Sequence, residues 1–175
     1  MSKSAAIVVS IAMLASPAVR AQDAGDAAPQ IAEVPADAVW APRTGDDWLD
    51  TWLADMNRYA ARHHDAFVDE IVRYQGAPRA LVEELLVEQR WQPADVYLAC
   101  ATALALGRAC REVATERRRD AAGGWDEALA RLDAGAGSAP LRRVRQGVVA
   151  SYDRWARPIT LDAQLRRALP ERGGG

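Results

Sequence analysis

Apolar residues recur along most of this chain at intervals of three and four, the spacing that lines one face of an α-helix. Leu49, Trp52, Met56, Tyr59, His63, Phe67, Ile71 and Tyr74 predict one long amphipathic helix. Thr44-Gly45-Asp46-Asp47 starts it with acids in the first turn, and Gln75-Gly76 ends it as a glycine cap. Pro78 opens a second helix, with Leu81, Val82, Leu85 and Leu86 on its buried stripe and Glu83, Glu84 and Glu88 facing out. Trp91-Gln92-Pro93 is the next boundary. The helix that follows, Pro93 to Leu106, is apolar nearly all round, which predicts the central element of the domain.

Gly107 stops that helix, and a shorter one from about Ala109 runs into Arg117-Arg118-Arg119-Asp120. Gly123-Gly124 breaks the chain before one or two helical turns from Trp125 to Leu132. Ser138 then caps a helix with the cleanest stripe in the sequence: Leu141, Val144, Val148, Tyr152 and Trp155. Pro158 ends it, and Thr160 caps a last helix to about Leu169 before Pro170. No segment shows the alternation of a strand. The expected fold is therefore all-α, a compact orthogonal bundle of six or seven helices over residues 44–170, with a disordered tail at 171–175.

The start of the chain follows a different pattern. Lys3 precedes an apolar run from Ala5 to Ala15, Ser16-Pro17 breaks it, and Val19-Arg20-Ala21 supplies small residues for a cut after Ala21. That is the layout of a secretory signal peptide over residues 1–21. The run is about half the ~20 residues needed to span a bilayer, so no stable membrane anchor is expected. No Cys lies near the cut to carry a lipid. Residues 22–43 are rich in Ala, Asp and Pro and read as a flexible leader. The expected location is periplasmic or secreted.

Export changes how the charges and cysteines are read. The mature chain would carry 20 cations, all arginine, against 24 acids. Gln22 to Cys100 holds 15 acids and 6 arginines, and the remainder 9 acids and 14 arginines. Acidic early helices packing beside basic late ones account for this; a basic face for an anionic partner is the alternative. Cys100 and Cys110 would enter an oxidising compartment. On one straight helix they would stand about 15 Å apart, beyond disulfide reach. Gly107 between them can fold Cys110 back, which favours a disulfide over two buried thiols.

Candidate chemistry is sparse. His63-His64-Asp65 with Asp69 is the densest polar cluster, but adjacent histidines point to different sides of a helix and cannot chelate one metal together. No metal site and no cofactor are expected. Glu83-Glu84 would serve a glycosidase only with a raised carboxyl and a second across a cleft. Nucleophile-elbow, zinc-protease, phosphate-loop and dinucleotide motifs are absent, and no catalytic residue is assigned. Six tryptophans stand beside a single phenylalanine; Trp52 and Trp155 lie on stripes, while Trp48 and Trp40 are the better surface candidates. Arg117, Arg118 and Arg119, with Arg142, Arg143 and Arg145, form the basic clusters. Of these residues Trp48, Arg117, Arg118, Arg119, Arg142 and Arg143 are taken as partner-binding candidates. The helix–turn–helix spacing between Gln92 and Glu116 would suit DNA, but export argues against nucleic acid.

The segment Gly76-Ala77-Pro78-Arg79, then Leu85-Leu86, Asp95-Val96-Tyr97-Leu98-Ala99-Cys100 and Gly107-Arg108-Ala109-Cys110, resembles a group of uncharacterised exported proteobacterial proteins. In that group a Gly-Trp-Gly turn leads to a Pro-Gly-Ser loop and a final helix. Gly124-Trp125, Leu132, Gly137-Ser138 and Gly147-Val148 align with it, so the resemblance spans about Tyr74 to Val149. Asp126 replaces the second Gly of the turn, Ala136 the Pro of the loop, and Ala109 a frequent Pro. The resemblance implies a helical exported protein and no chemistry.

Together these features point to a non-enzymatic module that binds an envelope protein or an anionic surface polymer. An envelope-polymer hydrolase with a carboxylate pair, or a purely structural domain, are the alternatives.

Overall fold

Asp46 begins the first helix by accepting a hydrogen bond from the Leu49 amide at 2.9 Å. Thr44 reinforces it, with its amide and hydroxyl donating to Asp50 at 3.0 and 2.6 Å. The computed structural model describes residues 40–120 and 123–172. The expected signal peptide, the leader before Trp40 and the last three residues of the tail lie outside them.

Among the described residues there are eight α-helices and no strand. They are α1 Asp47–Ala60, α2 His64–Tyr74, α3 Arg79–Glu83, α4 Pro93–Leu106, α5 Cys110–Arg119, α6 Trp125–Arg131, α7 Ala139–Arg154 and α8 Ala163–Ala168. A π-helical turn, Glu84–Glu88, continues α3, and a 3₁₀ turn, Pro170–Arg172, follows α8. None of these helices is long and apolar enough to cross a membrane.

The all-α class stands, although the described residues form eight α-helices where six or seven were expected. A 3₁₀ turn and an Arg172–Asp153 ion pair also reach into the expected disordered tail. There are three further local differences. The long first helix is two helices, broken at Ala61–His63, where His63 leaves helical geometry (φ −136°, ψ 51°). A continuous helix from Asp47 to Tyr74 would run about 42 Å, against about 21 Å for α4, on which both halves pack. The fold therefore turns the chain back, although neither Gly nor Pro marks the place. The last helix is capped by Asp162, which accepts from the Leu165 amide at 2.9 Å, and not by Thr160. Order also extends back past Thr44: Pro42 is buried, and the Pro42 and Arg43 carbonyls each accept from the α6 start, Trp125 and Asp126, at 2.8 Å.

Helix α4 is the hub. It packs against α1, α2, α5, α7 and the π-helical turn. Nine of its residues are buried, Ala94 and every position from Val96 to Ala103, as its lack of a polar face requires. Gly107 caps it with left-handed backbone (φ 68°), a conformation that costs a glycine little. The chain thereby reverses, and Cys110 at the head of α5 forms a disulfide with Cys100, their Cα atoms 4.4 Å apart. The uneven charge becomes tertiary pairing: Glu84–Arg111, Asp46–Arg145, Glu70–Arg154 and Asp55–Arg157 each join the acidic first half to the basic second half.

Candidate functional site

Three helix faces meet around a cleft of about 190 Å³. From α4 come Tyr97, Ala101, Leu104 and Ala105, and from α7 Arg143, Gly147, Ser151 and Arg154, each set at intervals that share a helix face. Glu70 and Tyr74, four apart on α2, close the third side. The mouth carries two of the few large apolar side chains left in water: Tyr74 is 50 % exposed and Leu104 57 %.

The floor is polar, and apart from the buried Gln75 Oε1, which has no hydrogen-bond partner among the described residues, its groups bond one another. Ser151 Oγ donates to Glu70 Oε1 at 2.7 Å and lies 2.8 Å from the Tyr97 hydroxyl. A serine has one proton to give, so Tyr97 is the donor in the second contact. Arg154 Nε meets both Glu70 oxygens at 3.0 Å, and its Nη2 meets Oε1 as well. Its guanidinium also lies over the Tyr74 ring, 3.8 Å from the centroid. Burial pushes the Tyr97 hydroxyl well above its ordinary pKa, so it stays protonated. The Ser151 and Tyr97 hydroxyl protons and the Arg154 Nε proton are each given to a neighbour in the network.

The residues singled out from sequence are dispersed. Trp48 is half-buried: its indole donates to the Thr160 carbonyl at 2.8 Å, and Arg145 sits over its ring at 4.9 Å. Trp40 is likewise tied down, donating to Asp95 at 3.1 Å. Arg117 bonds the Asp120 carbonyl at 2.6 Å, Arg118 bonds Gln89 at 2.9 Å, and Arg119 pairs with Glu116 at 3.0 Å. Arg142 bonds the Gly137 carbonyl and Arg143 that of Ala105. Only Arg143 reaches the cleft just described; Arg142 lines a separate small recess with Gln164 and Leu165. The two basic clusters therefore do not form one face.

The polar clusters weighed as catalytic are occupied by ion pairs. Asp69 is held by Arg79 and by Arg73, and His64 lies 3.4 Å from Asp65. His63, between two helices, packs its ring 4.8 Å from that of Tyr59. Among the described residues, no group of three or more His, Cys, Asp or Glu is placed to hold a metal ion. Glu83 pairs with Arg79 at 3.6 Å. Glu84 is bonded by Arg111 at 3.1 Å, and that hydrogen bond lowers its pKa, the reverse of what a general acid needs.

Sequence reasoning missed Glu70 and Ser151. Glu70 carried a signal: it sits three after Phe67 and four before Tyr74, inside the apolar stripe, where a lone acid is either buried with a partner or misplaced. Ser151 carried none, since its partners lie 54 and 81 positions away. Compared with protein-family models, curated proteins and solved structures, the chain matches none.

Proposed function

We propose that this chain is an exported, non-enzymatic helical module that binds a partner protein of the cell envelope, taking an apolar, carboxylate-bearing segment of it into the α2–α4–α7 cleft. The observation that carries this reading is the pairing of exposed Tyr74 and Leu104 at the mouth of a concave site. Isolated surface apolars need no explanation, but two flanking one cleft mark a contact surface. The floor favours binding over catalysis, because both of its hydroxyl protons are already given to neighbours.

Charge selects the partner. Arg143 at the cleft is bonded to a neutral carbonyl and has no ion pair among the described residues, so an acidic group on the incoming segment meets an unspent cation. The export layout around Ala5–Ala15 and the Cys100–Cys110 disulfide support an oxidising compartment outside the cytoplasm.

Photo-crosslinking tests it. A benzoylphenylalanine placed at Leu104 should capture one discrete envelope protein, and the same group at Val87, which is 66 % exposed but away from the cleft, should not. Adding Gly147→Leu, which fills the cleft from α7, should abolish the adduct. Equal capture from both positions, or an adduct indifferent to Gly147→Leu, would overturn the reading.

A further inference from the structure

A second cleft, of about 210 Å³, lies between the π-helical turn, the start of α4 and the end of α5, lined by Arg90, Trp91, Gln92, Asp95, Arg117 and Arg118. We propose that it binds a phosphate monoester, with the arginines on the phosphate and Trp91 beside the group that the phosphate esterifies. This site is independent of the α2–α4–α7 cleft.

The case rests on how arginines are used across the fold. Arg58, Arg73, Arg79, Arg111, Arg119, Arg131, Arg145, Arg154, Arg157 and Arg172 all form ion pairs. Arg90, Arg117 and Arg118 have no ion pair among the described residues, yet all three line one cleft. Arg118 spends its guanidinium on neutral Gln89 and Thr115, at 2.9 and 3.1 Å. Arg117 bonds a backbone carbonyl and lies over the Trp125 ring at 5.7 Å. Arg90 has no hydrogen bond among the described residues.

The single carboxylate at the cleft does not answer these cations. Asp95 turns its two oxygens to the indoles of Trp125 and Trp40, at 2.6 and 3.1 Å. Burial, the largest influence, raises its pKa against the pull of those donors and of Arg117.

The backbone aims the third arginine. The π-helical turn ends where the Trp91 amide reaches back to the Leu85 carbonyl at 2.9 Å, and this puts Arg90 in the left-handed region at φ 53°. That conformation is costly for a side chain with a Cβ and concentrates at functional sites, as π-helical turns do. Planar guanidinium forks match tetrahedral oxyanions better than point charges do. Trp91 is half-buried against the core and lines the cleft. The volume lies below the roughly 300–1,000 Å³ of drug-sized pockets, which fits a small head group.

The test is titration of the mature protein with inorganic phosphate, glucose 1-phosphate and glucose, followed by the indole N–H signals in ¹⁵N NMR. Glucose 1-phosphate should shift the Trp91 signal saturably and more tightly than phosphate, weakening as salt rises. Glucose should do nothing. Arg90→Asn, which keeps a residue tolerant of left-handed backbone, and Arg118→Gln should each weaken binding at least about fivefold while the circular dichroism stays unchanged. No saturable shift with either anion, binding of glucose as tight as that of its phosphate, or unaltered affinity in both variants would overturn the proposal.

Discussion

Ser151 and Glu70 stand 81 positions apart in sequence and 2.7 Å apart in the fold. Their contact ties α7 to α2, and the Tyr97 hydroxyl brings α4 into the same bond network. Three helices that share apolar surface could slide against one another at little cost, because hydrophobic burial has no direction. Hydrogen bonds do have direction, so the Glu70–Ser151–Tyr97 network fixes one register and with it the shape of the cleft above.

Removing one member of this floor should cost more than removing two. The Glu70 side chain is only 3 % exposed, whereas that of Arg154 is 31 %. Arg154→Ala leaves the carboxylate buried without its cation and should destabilise by about 3 kcal/mol, the lower end for a broken buried pair, because water reaches the arginine side. Glu70→Gln with Arg154→Met removes both charges and should recover most of that loss. Urea unfolding of the three proteins checks it. Equal losses in the single and double variants would assign the effect to packing alone.

The disulfide closes a loop of ten positions across the Gly107 turn. Cys100→Ala with Cys110→Ala should lower stability by about 3 kcal/mol through the freed unfolded chain. The helix content should not change, since nine of the fourteen α4 residues are buried in the core without it. Thermal unfolding with far-UV circular dichroism reads both quantities. A loss of helix below the transition would show that the bond holds α4 and α5 together in the native state.

The elements that local chemistry punctuates were legible before the fold was known. Pro93 and Gly107 bound α4 at both ends, Ser138 caps α7 as expected, and the apolar circumference of α4 marked the core. The break at Ala61–His63 was not legible, because the residues there are compatible with a helix and only the size of the core forces the turn. Trp125, the largest fully buried side chain, was hidden by its place beside Gly123-Gly124, a context that usually signals surface. The clefts were the least legible part. They are made where distant segments meet, and neither Tyr74 nor Leu104 differs locally from its buried neighbours on the same helices.

Gly147 separates the proposed binding role of the cleft from its stability. It lies inside α7, and a Cβ built there would meet only the Tyr97 hydroxyl, at an ordinary 3.9 Å. Gly147→Ala should therefore fit and stabilise by about 0.5–1 kcal/mol, the helix cost of glycine relative to alanine. Gly147→Leu should remain folded and fill the cleft. A rise in unfolding temperature for the alanine variant, with partner capture lost only in the leucine variant, is the expected pattern. Destabilisation by alanine would mean the helices approach more closely at Gly147 than the contact distance indicates.

Asp95 gives the fold a pH dependence of opposite sign to that of a salt-bridged carboxylate. Its pKa is raised from 3.8, first by burial; the Trp125 and Trp40 indoles and Arg117 pull it down without cancelling the rise. The folded protein thus holds this proton at pH values where the unfolded chain has released it. Below pH 3.8 the group is protonated in both states and its contribution is fully present. As pH rises through the folded value that contribution is lost, at up to about 1.4 kcal/mol per pH unit for one proton. Asp55 and Asp162 act the other way. For each, burial raises the pKa, but hydrogen bonds and arginines (Tyr152 and Arg157 at Asp55, the Leu165 amide and Arg145 at Asp162) lower it overall. The total pH profile therefore mixes signs, and Asp95 must be isolated by difference. Asp95→Asn cannot ionise, and the hydrogen bond it forfeits to one indole costs the same at every pH. The stability of the wild type minus that of Asp95→Asn should fall as pH climbs from 3.8 and level off above the folded pKa, measured by urea unfolding at constant ionic strength. A difference that rises with pH would mean that the two indole donors and Arg117 outweigh burial and hold Asp95 as a stabilised anion.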